Sequence, residues 1–425
     1  MTAADAPRVV LVGGGVHVAT LADELAARDD LPDHLTLALV ARDPHRLRTI
    51  GEHVAARTGR RRPGWRVAWS DDLGVAARGA TAVVLMVRAG GLAARAVDEG
   101  FPAEFGLVGD EGLGPGGMAN ALRTVPVVRG LGATLAEVAP DALVLNLVAP
   151  LPVTTRALVD VGVRTVGVCE LPTVVRDRLV RAGLAPDAPL ALGGLNHLSF
   201  WWDRDEPGRL RDAALAAGLV DEATWDRFGA VPMPYFFRVM DPSAGDGLGI
   251  HQPAGRAGEL QALADRALDA MAAGPGDDVA ALAGRPTPWF DLAVVPVLAA
   301  RLGGTPYSGP LNLPNAGRLR GVTSEVVVEA PGRVTADVLD AGGPVDLPPA
   351  VAGATAAWAA ADDLLHRATL LLGPDAADGS AAAAAEAVVA EALELVHPQV
   401  DPGERPRLAA RVVAAAGHSA AGTAA

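Results

Sequence analysis

The stretch Arg8-Val9-Val10-Leu11-Val12-Gly13-Gly14-Gly15 decides the fold that we predict for this chain. An apolar run typical of a short buried strand leads directly into three glycines, and a helical pattern follows over roughly 19–28. Glycines at such a turn let backbone N–H groups approach a pyrophosphate, which the N-terminus of the next helix also attracts. The stretch therefore predicts a dinucleotide site formed by Gly13, Gly14 and Gly15, with a purely structural turn as the alternative.

Further apolar runs alternate with helical patterns along the first half of the chain. The predicted strands cover 8–12, 35–40, 65–69, 82–87, 142–146 and 165–169. This alternation predicts a doubly wound parallel sheet, which binds ligands at the carboxyl ends of its strands. Those ends carry Gly13, Ala41, Arg88, Asn146 and Cys169.

The character of the sequence changes near Asn196, where longer helices, proline-rich loops and a hairpin pattern over 324–339 begin. We therefore predict an α/β protein with two domains. Residues 1–193 form a Rossmann-like dinucleotide-binding domain, and residues 194–425 form an α+β domain for substrate, metal and oligomerisation.

Composition excludes several classes of chemistry. All 36 basic residues are arginine, so Schiff-base, P-loop and general-base lysines are ruled out. The net charge of −14 argues against a nucleic-acid partner. No apolar stretch approaches the ~18–20 residues of a membrane helix, and residues 1–7 lack the basic start of a signal peptide. With one cysteine, the protein is predicted to be cytoplasmic.

The end of the second strand bears on the choice of cofactor. NAD-binding proteins place an acidic residue there for the ribose 2′-OH, and this chain reads Val40-Ala41-Arg42-Asp43. Arg42 suits the 2′-phosphate of NADP, whereas Asp43 could reach a hydroxyl. Both cofactors stay open at this point.

Cys169 ends the apolar run Val166–Cys169, and a second apolar approach ends at Asn196-His197. A lone thiol cannot form an internal disulfide. At a strand end it is a candidate soft metal ligand with an imidazole partner. The alternative is an inert thiol in the core.

Five segments then follow in a fixed order. They are Arg88-Ala89-Gly90-Gly91-Leu92 with Arg95, Gly109-Asp110-Glu111 with Gly114–Gly117, Asn146 with Pro150, Gly167–Pro172, and Gly194–Leu198. With the opening glycines, and with Gly284-Arg285 and Asn312–Asn315 further on, this order closely resembles the family-4 glycoside hydrolases, which include 6-phospho-α- and 6-phospho-β-glucosidases. The resemblance implies their fold, which is related to that of lactate and malate dehydrogenases.

The resemblance also implies a mechanism outside the usual two-carboxylate scheme of glycosidases. Members bind NAD and a divalent metal, usually Mn²⁺. The nicotinamide removes hydride from C3 of the sugar, a base removes the C2 proton, and the C1 substituent is eliminated before water adds and the steps reverse. A sugar or sugar phosphate is the implied substrate, and a homodimer or homotetramer the implied assembly.

Site residues follow from the same resemblance. It implies Cys169 and His197 as metal ligands and Glu170 as a general acid, with a local salt bridge as the alternative for Glu170. The substrate contacts that it implies are Arg95, Asn146, Asn196 and Arg285.

The chain departs from the family at the groups that would move the C2 proton. Ala149 replaces an asparagine that contacts a substrate hydroxyl, and the tyrosine-rich segment retains only Tyr235. Glu111 and Asp291 are the carboxylates that could replace the missing base. These departures leave an alternative function, an NAD(P)-dependent sugar or polyol dehydrogenase or epimerase that has lost hydrolysis. A non-catalytic binding homologue is a third class.

Overall fold

A computed structural model of the protein describes residues 6–237, 256–372 and 379–417. In these ranges the strands are β1 (Arg8–Gly13), β2 (Leu35–Val40), β3 (Trp65–Ser70), β4 (Ala82–Met86), β5 (Leu143–Asn146), β6 (Thr165–Gly167), β7 (Ala191–Leu195), β8 (Leu198–Trp202), β9 (Val231–Pro232), β10 (Tyr307–Pro314), β11 (Val327–Val334) and β12 (Leu339–Asp340).

The α-helices of the same ranges are α1 (Val18–Ala27), α2 (Pro44–Arg61), α3 (Leu73–Ala77), α4 (Gly91–Gly100), α5 (Gly114–Val138), α6 (Leu151–Asp160), α7 (Leu171–Arg181), α8 (Pro207–Ala216), α9 (Glu222–Phe228), α10 (Arg256–Ala273), α11 (Val295–Arg301), α12 (Pro349–Leu371), α13 (Gly379–Val396) and α14 (Arg405–Gly417). Short 3₁₀ helices cover Gly15–His17, Phe101–Phe105 and Ala280–Gly284, and a π-helix covers Phe290–Val294. Within the described parts of the chain, no helix is both long and apolar enough to cross a membrane.

The strands form one sheet in the order β3-β2-β1-β4-β5-β6-β10-β11-β7-β8-β9, with β12 paired to β11. The strands from β3 to β6 are parallel, in the order of a doubly wound Rossmann sheet. From β10 onward the pairing is antiparallel. The predicted α/β fold is therefore confirmed, and the predicted strands of the first half match the observed ones within two residues.

The sheet runs without a break across the predicted domain boundary. Residues 193 and 194 lie side by side within β7, which pairs with β8 and β11. The division into domains at 193/194 stays a prediction.

Both faces of the parallel half are covered, as expected for strands that are apolar throughout. Val10 and Val12 of β1 pack into a core with α3, α5, α6 and α12 to α14. Val9 and Leu11 face the opposite core with α1, α2, α10 and α11. A third core lies around β7 and β8 with α7 to α9.

The first strand-to-helix turn requires glycine at its first position. Gly13 has a φ of +80°, and a Cβ atom there would lie 2.8 Å from the carbonyl oxygen of Met86 on β4. Gly15 also has a positive φ of +56°, but a Cβ atom there would meet nothing within 4 Å. The close packing of β1 against β4 therefore constrains Gly13 more than Gly15.

We predict that Gly13→Ala lowers the free energy of unfolding by about 2 kcal/mol or more, because left-handed strain and a backbone clash add together. Gly15→Ala, the matched control, meets only the strain and should cost about 1 kcal/mol. Urea unfolding followed by circular dichroism measures both losses. Equal losses in the two variants would contradict the steric explanation.

Candidate active site

The predicted site residues gather where the carboxyl ends of the strands meet. Cys169 follows β6 after one intervening residue, and His197 lies in the turn between β7 and β8. In the sheet, β6 and β7 are separated by β10 and β11. The side chain of Asn196, the residue before His197, hydrogen-bonds Glu329 of β11, which also bonds Asn312 of β10, opposite Gly167 of β6.

The thiol is buried and the imidazole half-buried, and the pKa shifts of both favour the uncharged form. Burial raises the pKa of the Cys169 thiol well above its ordinary value, and the neighbouring charges of Glu170 and Glu329 raise it further. Burial lowers the pKa of His197 to about 4. Its ring stacks on Tyr235 with the centroids 4.2 Å apart and the planes at 13°.

Glu170 lies beside the thiol, with Oε2 3.9 Å from Sγ of Cys169. Burial raises the pKa of Glu170, so this carboxyl holds its proton more firmly than an exposed glutamate. The predicted alternative, a local salt bridge, is not among the ion pairs of the described residues.

Glu329 of β11 is a fully buried carboxyl that the sequence analysis missed. Its Oε1 accepts hydrogen bonds from Nδ2 of Asn196 (3.1 Å) and Nδ2 of Asn312 (2.9 Å), and its Oε2 accepts one from Oγ of Ser199 (2.6 Å). The available signal was a single acidic residue inside the apolar run Val326–Ala330.

The donors at this edge fit a divalent transition metal. A neutral imidazole is the form that ligates metals, and a bound cation would favour the thiolate form of Cys169. Among the described residues, no group of three or more His, Cys, Asp or Glu side chains is arranged to hold a metal ion. Cys169 and His197 are therefore the residues that would hold a metal, with the remaining coordination positions left for other donors.

A second cluster consists of arginines that repel one another. Burial and the charges of Arg95 and Arg285 lower the pKa of Arg88 to about 9. Glu111 partly offsets this repulsion, because it pairs with Arg88 and lies 3.1 Å from Nη1 of Arg95. Arg95 also pairs with Glu99 at 2.7 Å.

Arg285 differs from the other two arginines in its partners. Its guanidinium lies 5.1 Å from the ring centroid of Trp289, and it makes no hydrogen bond or ion pair with any described residue. Burial and the charge of Arg95 lower its pKa to about 10. Its charge also contributes to lowering the pKa of His17, beside the glycine turn, to about 4 after the larger effect of burial. Bidentate guanidinium groups in such a cluster suit a phosphate.

Asn146 has a different environment from the one expected of a substrate contact. It is fully buried, and its Nδ2 donates to the hydroxyls of Thr154 (2.9 Å) and Thr155 (3.0 Å). Its Oδ1 accepts from the backbone N–H of Val148 at 3.1 Å. The amide thus organises the loop after β5, and its role in substrate binding stays a prediction.

Asp291 is the remaining carboxylate predicted as a base. It is exposed in the π-helix Phe290–Val294, which packs on α1. Burial raises the pKa of Glu24 on α1, and the charge of Asp291 raises it further. The role of Asp291 as a base stays a prediction. Of the proposed bases, Tyr235 lies nearest to the thiol–imidazole pair, and residues 238–240 of its segment lie outside the described residues.

Arg42 and Asp43, which follow β2, have different roles. Asp43 caps α2, and its Oδ1 accepts from the backbone N–H groups of His45 and Arg46, both at 3.0 Å. Arg42 is exposed and makes no hydrogen bond or ion pair with the described residues. The carboxylate of Asp43 is therefore occupied as a helix cap, whereas the guanidinium of Arg42 is available to a ligand.

A small cavity of about 50 Å³ lies next to the site. Asn196 lines it together with Gly112, Trp358 and Asp362. A Cβ atom on Gly112 would lie 3.8 Å from Nδ1 of His197, so the cavity adjoins the imidazole. Burial raises the pKa of Asp362 to about 7, another perturbed group that the sequence did not reveal.

The fold and these residues define an α/β protein with a doubly wound Rossmann sheet and with a thiol and an imidazole at the sheet edge. Residues 8–185 match the model of the Family 4 glycosyl hydrolases. A 6-phospho-alpha-glucosidase from Lacticaseibacillus paracasei is 33% identical over 149 residues, which are 34% of each chain. The chain thus spans about a third of the length of this curated relative. The predicted resemblance to family 4 is confirmed.

Solved structures extend the likeness in fold to almost the whole chain. The 6-phospho-beta glucosidase from Thermotoga maritima, solved with manganese, NAD⁺ and glucose-6-phosphate, has a TM-score of 0.76 at 19% identity and covers 96% of this chain and 98% of its own. A lactate dehydrogenase from Cryptosporidium parvum has a TM-score of 0.53 at 10% identity over 86% of this chain and 98% of its own. The predicted relation to both folds agrees with these values.

The carboxyl of Asp362 gives a prediction about pH. Its folded-state pKa of about 7 exceeds the ~3.9 of an exposed aspartate, so the native state keeps a proton that the unfolded chain releases. Stability should therefore fall as the pH rises from about 4 to 7. Asp362→Asn removes this loss and should be more stable than wild type at pH 8, by on the order of 2 kcal/mol, with no gain near pH 4.

Urea midpoints at the two pH values measure the effect. Asp363→Asn is the matched control on the same helix, because it loses an ion pair of 2.7 Å with Arg156 and should be less stable at pH 8. Equal midpoints of wild type and Asp362→Asn at pH 8 would contradict the prediction.

Proposed function

We propose that the protein is an NAD- and divalent-metal-dependent glycosidase that cleaves a phosphorylated glucoside by oxidation at C3 and elimination across C1–C2. One observation carries this proposal: the glycine turn, the Cys169–His197 pair and the arginine cluster all lie at one edge of one sheet. The manganese, NAD⁺ and glucose-6-phosphate bound by the Thermotoga maritima enzyme support the same assignment.

The arginine cluster is the proposed site for the substrate phosphate. The guanidinium of Arg285 has no hydrogen-bonding partner among the described residues, whereas those of Arg88 and Arg95 already share Glu111. A phosphate dianion would relieve the repulsion that lowers the pKa of Arg285 and Arg88. The same charge pattern makes Arg285 the main phosphate ligand and Arg95 a supporting one.

The glycine turn is the proposed cofactor site. Gly13, Gly14 and Gly15 lie just before the start of α1, where pyrophosphate oxygens bind in this fold, and the N–H of Gly14 itself donates to the carbonyl oxygen of Met86 at 3.1 Å. When bound there, NAD supplies the acceptor for a hydride from C3 and returns it at the end of the cycle.

Cys169 and His197 are the proposed ligands of the metal. When bound, a divalent cation such as Mn²⁺ supplies positive charge that acidifies the C2 proton of an oxidised sugar. Burial raises the pKa of Glu170, and this carboxyl is the proposed donor to the leaving oxygen. Tyr235, stacked on the imidazole, is the proposed acceptor of the C2 proton, with Glu111 as the alternative base.

A second function, that of an NAD(P)-dependent sugar dehydrogenase or epimerase, is favoured by one specific observation. Ala149 supplies no polar side chain where the family contacts a hydroxyl, and the amide of Asn146 is used internally. Both features remove substrate contacts that elimination would use.

We also propose, from the family resemblance, that the enzyme acts as a homodimer or homotetramer. The cytoplasmic location rests on the cysteine content and stays a prediction.

Deuterium labelling separates the two candidate functions. In D₂O with Mn²⁺ and catalytic NAD⁺, we expect cleavage of a 4-nitrophenyl 6-phosphoglucoside to yield glucose 6-phosphate that carries deuterium at C2, because a base exchanges that proton with solvent. No net NADH should accumulate, since the hydride is returned. Mass spectrometry and absorbance at the nicotinamide band measure both quantities.

Tyr235→Phe is the matched variant, because it keeps the stacked ring and loses only the hydroxyl. It should slow deuterium incorporation by about 100-fold or more if the hydroxyl is the base. Stoichiometric NADH without release of nitrophenol would establish the dehydrogenase instead.

Arg42 gives a prediction about cofactor choice. Because its guanidinium is available and Asp43 is engaged as a helix cap, we expect the protein to bind NADP as well as NAD. Arg42→Ala should weaken NADP binding by about 10- to 100-fold and NAD binding much less. Nicotinamide fluorescence titrations with both reduced cofactors measure this difference. Equal losses for the two cofactors would show that Arg42 does not contact a 2′-phosphate.

A further inference from the structure

The two proposed metal ligands come from parts of the chain that do not pair with each other. Cys169 continues β6, whereas His197 belongs to the turn between β7 and β8. The strands β10 and β11 lie between them in the sheet. The separation of the thiol and the imidazole is therefore set by groups on β10 and β11.

Glu329 occupies the middle of this arrangement. In the backbone register it lies opposite Asn312 of β10 on one side and Gly194 of β7 on the other. Asn312 lies opposite Gly167 of β6, two residues before Cys169. Glu329 therefore lies on the strand next to β7, which leads to His197. A single strand, β10, separates it from β6, which leads to Cys169.

The hydrogen bonds of Glu329 reach both ligand segments. Oε1 joins Asn196 and Asn312, and Oε2 joins Ser199, so the bonds to Asn196 and Ser199 bracket His197. His197 has a φ of +65°, a left-handed conformation that non-glycine residues adopt at a cost. Bonds on both sides of this residue oppose relaxation of the turn. Asn312, the third partner of Glu329, lies opposite Gly167, so the network also reaches the strand that leads to Cys169.

We propose that Glu329 is a positioning residue that holds Cys169 and His197 at the separation needed to bind one metal ion. The inference rests on the proposed function, because it needs a metal at this pair. Partners of metal ligands commonly change metal affinity by 10- to 100-fold when they are removed.

The geometry assigns the effect to hydrogen bonding. Glu329→Gln can keep Oε1 as the acceptor from both asparagines, while the new amide donates to the hydroxyl of Ser199, which can accept as well as donate. Glu329→Leu removes all three bonds at similar volume and leaves three buried donors without partners. The two variants therefore separate the network from the bulk of the side chain.

Asn315 provides a matched control for stability. It is fully buried just beyond β10, and its amide bonds the backbone carbonyls of Leu319 (3.0 Å) and Val322 (2.8 Å). These bonds organise a loop and reach neither proposed ligand. Asn315→Leu should lower Tm as Glu329→Leu does, without a specific effect on the metal.

The test is Mn²⁺ binding to the full-length protein with NAD⁺ present, measured by loss of the free-Mn²⁺ paramagnetic resonance signal. Glu329→Leu should raise the Kd for Mn²⁺ at least tenfold, while Glu329→Gln and Asn315→Leu stay within about threefold of wild type. With Co²⁺ as the probe, Glu329→Leu should also lose the thiolate-to-metal charge-transfer band at concentrations that saturate wild type.

Wild-type Kd values in Glu329→Leu, or a tenfold rise in Asn315→Leu as well, would overturn the proposal. A tenfold rise in the Kd of Glu329→Gln for Mn²⁺ would overturn it too. That variant can keep the three hydrogen bonds, so the bonds would then not suffice to position the metal ligands. If Glu329→Leu does not fold, Ser199→Ala decides: a Kd raised about threefold or more at nearly unchanged Tm supports the proposal, and an unchanged Kd overturns it. Failure of the wild-type protein to bind Mn²⁺ would instead reject the metal in the proposed function.

Discussion

The antiparallel ladder between β10 and β11 runs from Tyr307 opposite Val334 to Pro314 opposite Val327 and joins the two halves of the sheet. β10 pairs with the last parallel strand, β6, and β11 pairs with β7. A shift of one residue in this register would turn Glu329 away from its partners and move every side chain of the shifted strand to the opposite face. The site therefore depends on a long-range backbone pairing more than on any local turn.

Electrostatics imposes the second constraint on the site. A chain without lysine has only arginine to offer an anion, and arginine stays charged even when buried. Placing Arg88, Arg95 and Arg285 together costs free energy, which Glu99 and Glu111 offset in part. The remaining positive charge is the part that an anionic ligand would neutralise. Binding of an anion to these guanidinium groups would therefore stabilise the folded protein.

Local signals allowed much of the first half to be predicted. The parallel strands could be predicted from the apolar runs and from the glycine turn at Gly13. Both signals lie within a few residues of the strand that they identify. Glu329 could not be assigned, because a lone acidic residue in a strand does not reveal which donors will face it. The role of Asp291 as a base stays a prediction, because its position in a π-helix could not be predicted from the sequence. The raised pKa of Asp362 could not be predicted either, because it depends on burial that arises only when α12 packs against the rest of the protein.

The order of strands has a consequence for synthesis of the protein on the ribosome. β6 is complete early in translation, but its partner β10 emerges only after all residues up to Tyr307 have been made. At ~5–20 residues per second, the open edge of the parallel half waits on the order of ten seconds for its partner. An unpaired edge of apolar strands is a template for association with other chains. The nascent chain therefore has a defined window in which a chaperone binding near β6 would protect it.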